Sequence, residues 1–316
     1  MSAVELEVPA AAASRPRWIV TLGLLARNPM AVASSAVLLV FVLVAVLGSR
    51  LAPYGFNEIA ADIATGRLQG PSAEHWFGTD NLGRDVFSRV LLGAEVSLRV
   101  GVIAVAISLT AGTMIGLIAG FYGRWLDDSL MRFMDVLFAF PAILLAIVVL
   151  AVLGPGVTNA MIAIGIVYTP IFARLARAST LSVREEVYVR AARSSGASDP
   201  RILARHVLPN ITAPLIVQTS LSLAFAILSE AALSFLGLGT QPPSPSWGRM
   251  LSEGRDFIQQ AWWMALFPGF AIFVTVLAFN VLGDALRDVL DPRQRSVIAA
   301  AVGKRAAGGM TGEAQP

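Results

Sequence analysis

Residues 186–210 read EVYVRAARSSGASDPRILARHVLPN, a basic, helix-forming island between two apolar runs. The spacing predicts a first helix over 183–194, ended by Gly196 in the left-handed position that glycine adopts easily just beyond a helix end. Asp199 then caps a second helix, with Pro200 at its first position, where a missing N–H costs nothing. That helix carries Ile202, Leu203 and His206 until Pro209 stops it. Ala191, Ala192 and Gly196 leave room for a partner protein to pack near the backbone. An amphipathic pair resting on lipid headgroups, favoured by its arginines, fits the same residues.

Outside this island the chain is apolar. Hydrophobic residues make up 56% of its 316 positions and charged residues 14%, with a mean hydropathy of +0.69. A soluble domain carries about 25% charged residues, so the composition points to a bilayer. A spanning helix needs about 20 mostly apolar residues. Six stretches qualify, at 31–51, 100–120, 130–153, 160–175, 214–238 and 263–282. The third opens with Arg132 and Asp135, and the fourth is short. The expectation is an all-α membrane protein with six transmembrane helices. A cleaved signal peptide is the competing reading of the first run, against which stand its length and the lack of a following A-x-A site.

Basic residues orient the spans. Of 24 lysines and arginines, 17 fall before the first span, between the second span and the opening turn of the third, in the 174–205 region or after the sixth span. The positive-inside rule then places both termini and the island in the cytoplasm. Segments follow: a cytoplasmic tail over 1–28, a transmembrane domain over 29–293 with an external segment at 52–99 and a cytoplasmic loop at 176–212, and a tail over 294–316. The net charge of +3 is membrane topology, and nothing indicates nucleic acid.

The chain lacks the residues of most catalytic chemistry. It has no cysteine and two histidines, His75 and His206, far apart; no thiolate or metal site follows. Its one lysine, Lys304, lies in GKRAA, which is not a Walker A loop, so this chain does not hydrolyse ATP through that motif. There is no Gly-x-Ser-x-Gly elbow and no His–Glu metal motif.

Other features admit two readings each. Gly112, Gly116 and Gly120 make overlapping Gly-x-x-x-Gly steps, suited to close helix packing or to lining a path. Pro141 and Pro170 interrupt spans, as structural kinks or as hinges. Glu230 lies within the fifth span, where a carboxyl group must be paired, hydrogen-bonded or facing water. It is a candidate pathway or gate residue, or else a buried helix-to-helix hydrogen bond. Asp135 reads as an interfacial partner of Arg132. The external stretch around Gly78, Asp80, Gly83 and Asp85 reads as a surface elbow or as a landing surface, with helical spacing from Asp85 onward.

Five blocks together resemble one family: HWFGTDNLGRDVFSRVLLGAEVSL (75–98), MRFMDVLFAFPAILLAI (131–147), EEVYVRAARSSGASDPRILARHVLPN (185–210), EAALSFLGLGTQPPSPSWGRML (230–251) and LAFNVLGDALRDVLDPR (277–293). They are similar to the C-type permease subunit of dipeptide, oligopeptide and nickel ATP-binding-cassette importers. The resemblance implies a type I importer permease fold in the bacterial inner membrane. It implies pairing with a second, homologous permease, two separate ATPase subunits that hold ATP and Mg²⁺, and an extracytoplasmic substrate-binding protein. This chain itself would bind no cofactor. The 186–210 island would be the coupling loop gripped by an ATPase, through Glu186, Arg190, Ala191, Ala192, Gly196, Asp199 and Pro200. Cargo would be dipeptides or oligopeptides, with nickel chelates or glutathione as alternatives. Aligned on Gly196, the general Glu-Ala-Ala-x-x-x-Gly motif puts Arg190 where its Glu stands. The peptide branch commonly has Arg there, with its acid nearer Glu186. Ser194-Ser195 departs from the usual Ala-Leu. An ATP-independent carrier using Glu230 is the rival reading, and an intramembrane enzyme lacks its motifs.

Overall fold

The computed structural model describes residues 23–59 and 66–290, and all regular elements among them are helical. Most of the 1–28 tail and all of the 294–316 tail, including Arg15, Arg17 and Lys304, lie outside the described residues. Among the described residues, five helices are long and apolar enough to cross a bilayer. A sixth crossing is available if one sharply bent pair counts as a single span.

Helix α1 (Pro29–Leu51) starts at Asn28, whose side chain accepts from the Met30 and Ala31 N–H groups. Helix α2 (Val86–Tyr122) is capped by Asp85, which accepts from Ser88 N at 2.8 Å. Its 37 residues make a rod of about 55 Å, longer than the 100–120 span, because the helical spacing from Asp85 runs on unbroken. Gly123 (φ +64°) and Arg124 (φ +56°) then turn the chain sharply.

The 130–153 span is not one helix. Helix α3 (Arg124–Phe138) and helix α4 (Ala142–Leu153) meet at 95°. Pro141 supplies the break: it offers no N–H to the turn before it and disfavours helical geometry at Phe140. Helix α5 (Val157–Arg184) contains Pro170 without interruption and extends nine residues beyond the expected 160–175 span. Of the 176–212 loop, 176–184 therefore belongs to a spanning helix.

Two short helices follow, α6 (Val187–Ser194) and α7 (Asp199–Ile202). Pro209 does not end the second. The chain passes through a π turn (Leu203–Val207) directly into α8 (Leu208–Phe235). Leu208 N–H bonds to Leu203 O in that turn. The wider turn opens space for the proline, which then sits harmlessly in the first turn of α8. A short helix α9 (Trp247–Arg255) and the long α10 (Trp263–Leu290) complete the bundle.

The glycine ladder of α2 packs directly on α5. A Cβ on Gly112 would lie 2.6 Å from Thr169 O, one on Gly120 would lie 2.8 Å from Thr180 Cβ, and one on Gly116 would meet Ala173 O. Lipid supplies no hydrophobic drive between helices, so close backbone packing is what holds this pair. The 66–85 segment folds onto the ends of α2, α9 and α10. Trp263 Nε1 donates to Thr79 O, and Trp247 Nε1 donates to Val90 O, both at 3.0 Å. Buried Arg84 and Arg89 bridge Asp80 and Glu253, and His75 Nδ1 lies 3.0 Å from Asp85 Oδ1. The elbow is thus a packed cap, with Trp76 left exposed on it.

Candidate coupling site

The island around Gly196 is locked into the bundle. Helix α6 ends in a Schellman motif: Gly196 N–H donates to Arg193 O at 3.0 Å, and Ala197 N–H to Ala192 O at 3.1 Å. Gly196 has φ +81°, the left-handed geometry this motif requires of its terminating residue. Val189, Ile202, Val207 and Ile211 are buried in the same apolar cluster as Phe121, Phe172 and Ala176 of α2 and α5. The two short helices and the spans therefore share one core.

The expected coupling residues divide by orientation. Glu186, Arg190, Ala191, Gly196 and Pro200 are exposed, whereas Ala192 and Asp199 are half-buried. Ala192 packs against the core, so it does not offer a free contact surface. Helix α6 begins at Val187, since α5 continues to Arg184 and the chain bends at Glu185 and Glu186. Ser198 rather than Asp199 occupies the cap of α7, and no side chain there accepts from the backbone. The sequence reading overlooked Val187 and Tyr188, which are 70% and 43% exposed beside Ala191. Placing Val189 inward on an eight-residue helix was the available signal. Partial burial first, and then the Glu186 carboxylate, push the Tyr188 phenol above its ordinary value, so it stays neutral at physiological pH.

A set of arginines ties this end of the bundle together. Arg177 makes a two-point ion pair with Asp127 of α3. Arg174 Nη2 donates to Asp135 at 2.7 Å and lies over the Phe138 ring. Asp135 is thus paired with Arg174, not with Arg132. Arg184 Nη1 donates to Gly120 O at 2.7 Å, and Arg193 lies 5.1 Å above the Phe121 ring.

Glu230 sits at the opposite end of α8, 1% exposed. Ser97 Oγ donates to its Oε2 at 3.2 Å; Ser234 Oγ and Thr240 Oγ1 donate to Oε1 at 2.7 and 3.3 Å. Two of these hydroxyls accept from backbone groups in turn, Ser97 from Trp247 N–H at 3.2 Å and Ser234 from Thr240 N–H at 2.9 Å. The carboxyl group thereby joins α2, α8, the 237–246 loop and the start of α9.

A bundle of long apolar helices with two short helices fused to one end is the architecture of a membrane-embedded protein. The inward-facing MetNI methionine ABC transporter aligns with a TM-score of 0.53 at 15% identity, over 64% of this chain and 96% of that one, a likeness of fold. The family model described as binding-protein-dependent transport system inner membrane component matches residues 112–296. The chain belongs to that family and is a multi-pass permease subunit of an ATP-binding-cassette importer of the inner membrane. The model for the N-terminal TM domain of oligopeptide transport permease C matches residues 17–71. The dipeptide transport system permease protein DppC of Alkalihalophilus pseudofirmus is 51% identical over 272 residues, 86% of this chain and 88% of that protein. A putative peptide transport system permease of Brucella suis is 51% identical over 271 residues, 85% and 91% of the two chains. The glutathione transport system permease protein GsiD of Escherichia coli is 50% identical over 268 residues, 84% and 88%.

Proposed function

We propose that this chain is one of two homologous permeases that enclose the pathway of an importer for dipeptides and oligopeptides. Both termini and α6 face the cytoplasm, following the distribution of basic residues. Two ATPase subunits hold ATP and Mg²⁺, and an extracytoplasmic binding protein delivers cargo. The ATPase contact is the outer face of α6 and the turn after it: Glu186, Val187, Tyr188, Arg190, Ala191 and Gly196, with Asp199 and Pro200 opening α7. Ala192 supports that surface from behind.

The observation that carries this reading is the common core of α5, α6, α7 and α8. Close-packed interiors transmit displacement instead of absorbing it, so a push on α6 moves the cytoplasmic ends of α5 and α8 together. ATP-driven closure of the ATPases would then shift the bundle between inward- and outward-open populations. Glu230 acts at the far end, where it holds the 237–246 loop at the external mouth; it is a gate residue through that loop, without touching cargo.

The names of relatives support the peptide reading, and the 50% identity to GsiD supports glutathione as an alternative. ATP-driven uptake by vesicles holding the whole assembly, comparing labelled dipeptide, oligopeptide, glutathione and nickel chelate, decides among them. Uptake without any ATPase would overturn the coupling mechanism.

A further inference from the structure

Helix α3 is amphipathic yet unlike the spans around it. At 3.6 residues per turn its side chains fall into three sectors. Asp127 and Met134 face inward and are buried. Arg124, Asp128, Arg132 and Asp135 form an exposed charged arc. Trp125, Phe133 and Val136 dominate the third sector and are 76%, 59% and 58% exposed.

Five ionisable groups in 15 residues, four of them exposed, do not suit the acyl core, where charged side chains face the bundle interior or water. The adjoining α4 has no polar residue and exposes Leu144, Val148 and Val152, so it belongs in the hydrocarbon. With a 95° angle between them, aligning α4 with the bilayer normal lays α3 parallel to the membrane surface. The exposed apolar surface of α3 then continues through Phe140 onto α4. Lipid beneath, water above and α5 to one side account for all three sectors, the pattern of an interfacial helix.

We propose that α3 is an in-plane membrane helix, with Trp125, Phe133 and Val136 seated at the headgroup–acyl boundary of the leaflet where α2 ends, and that the surface it docks on is phospholipid. Through Asp127–Arg177 and Asp135–Arg174 it anchors the coupling end of α5 level with that surface. This requires neither a particular cargo nor a particular ATPase.

The chain has no cysteine, so single spin labels can be introduced at Asp128→Cys, Arg132→Cys, Phe133→Cys and Val136→Cys in the complete transporter in phospholipid vesicles. Labels at 133 and 136 should show high oxygen and low nickel-chelate accessibility, and labels at 128 and 132 the reverse. Protection of 133 and 136 from both relaxants would mean that protein covers this face and would overturn the proposal. Uniform exposure of all four to the nickel chelate would overturn it too. Ser129→Cys lies on the same apolar arc with a similar side-chain volume and reads the same depth if a bulky position fails to insert.

Discussion

Arg177 reaches from α5 to Asp127 of α3 and donates from both Nε and Nη2, at 2.5 and 2.6 Å. The contact holds a helix that crosses the membrane against one set at right angles to its neighbour α4. It lies one helical turn from Thr180, against which Gly120 of α2 packs. Asp127→Asn keeps the size and loses the charge. Hydrogen bonds to charged groups are worth about 1.5–3 kcal/mol, so the purified complex should unfold at a measurably lower temperature. An unchanged melting curve would show that the Asp127–Arg177 pair does not hold α3 in place.

The glycine ladder makes a sharper demand. A methyl group on Gly116 meets Ala173 O and Ala176 Cβ, and neither can move without separating α2 from α5. Gly116→Ala should cost about 1–3 kcal/mol, the usual penalty of overpacking, and lower the yield of assembled complex. Gly196→Ala is a useful contrast, since nothing surrounds that site and only its backbone geometry suffers. Equal yields of wild type and Gly116→Ala would contradict the close packing.

At Glu230 the substitution to glutamine turns one accepting oxygen into an amide donor. It then faces the hydroxyl of Ser97 or Ser234, whose proton loses the carboxylate oxygen it was donated to. Transport should fall and limited proteolysis within 237–246 should quicken, while ATPase subunits still co-purify. Unaltered proteolysis with reduced uptake would favour a direct contact with cargo. Loss of assembly would make Glu230 a purely structural element.

Much of the bundle was legible because apolar runs of spanning length leave few alternatives. The glycines of α2 offered close packing as one of two readings, which their contacts with α5 select, and Gly196 declared its left-handed turn from its neighbours in sequence. The errors arose where distance in sequence hides proximity in space. Asp135 pairs with Arg174, 39 residues away, while Arg132 one turn earlier was the local guess. Ala191 and Ala192 look equivalent on paper, yet one residue is 100° of helix, and only the burial of Val189 in the shared core tells which alanine faces out. Proline gave one true and one false signal. At Pro141 the expected kink is a 95° turn, whereas at Pro209 the π turn absorbs the ring and the helix continues.

Ala191→Glu adds a charge to an exposed position and leaves the shared core intact, which Ala192→Glu would not. The decisive measurement is ATP-driven dipeptide uptake, with ATPase co-purification, in vesicles carrying the complete Ala191→Glu assembly. The expected result is a correctly inserted permease with wild-type thermal stability that no longer retains its ATPases, and uptake at background. Wild-type uptake with a full complement of ATPase would contradict the assignment of α6 as the point where force enters.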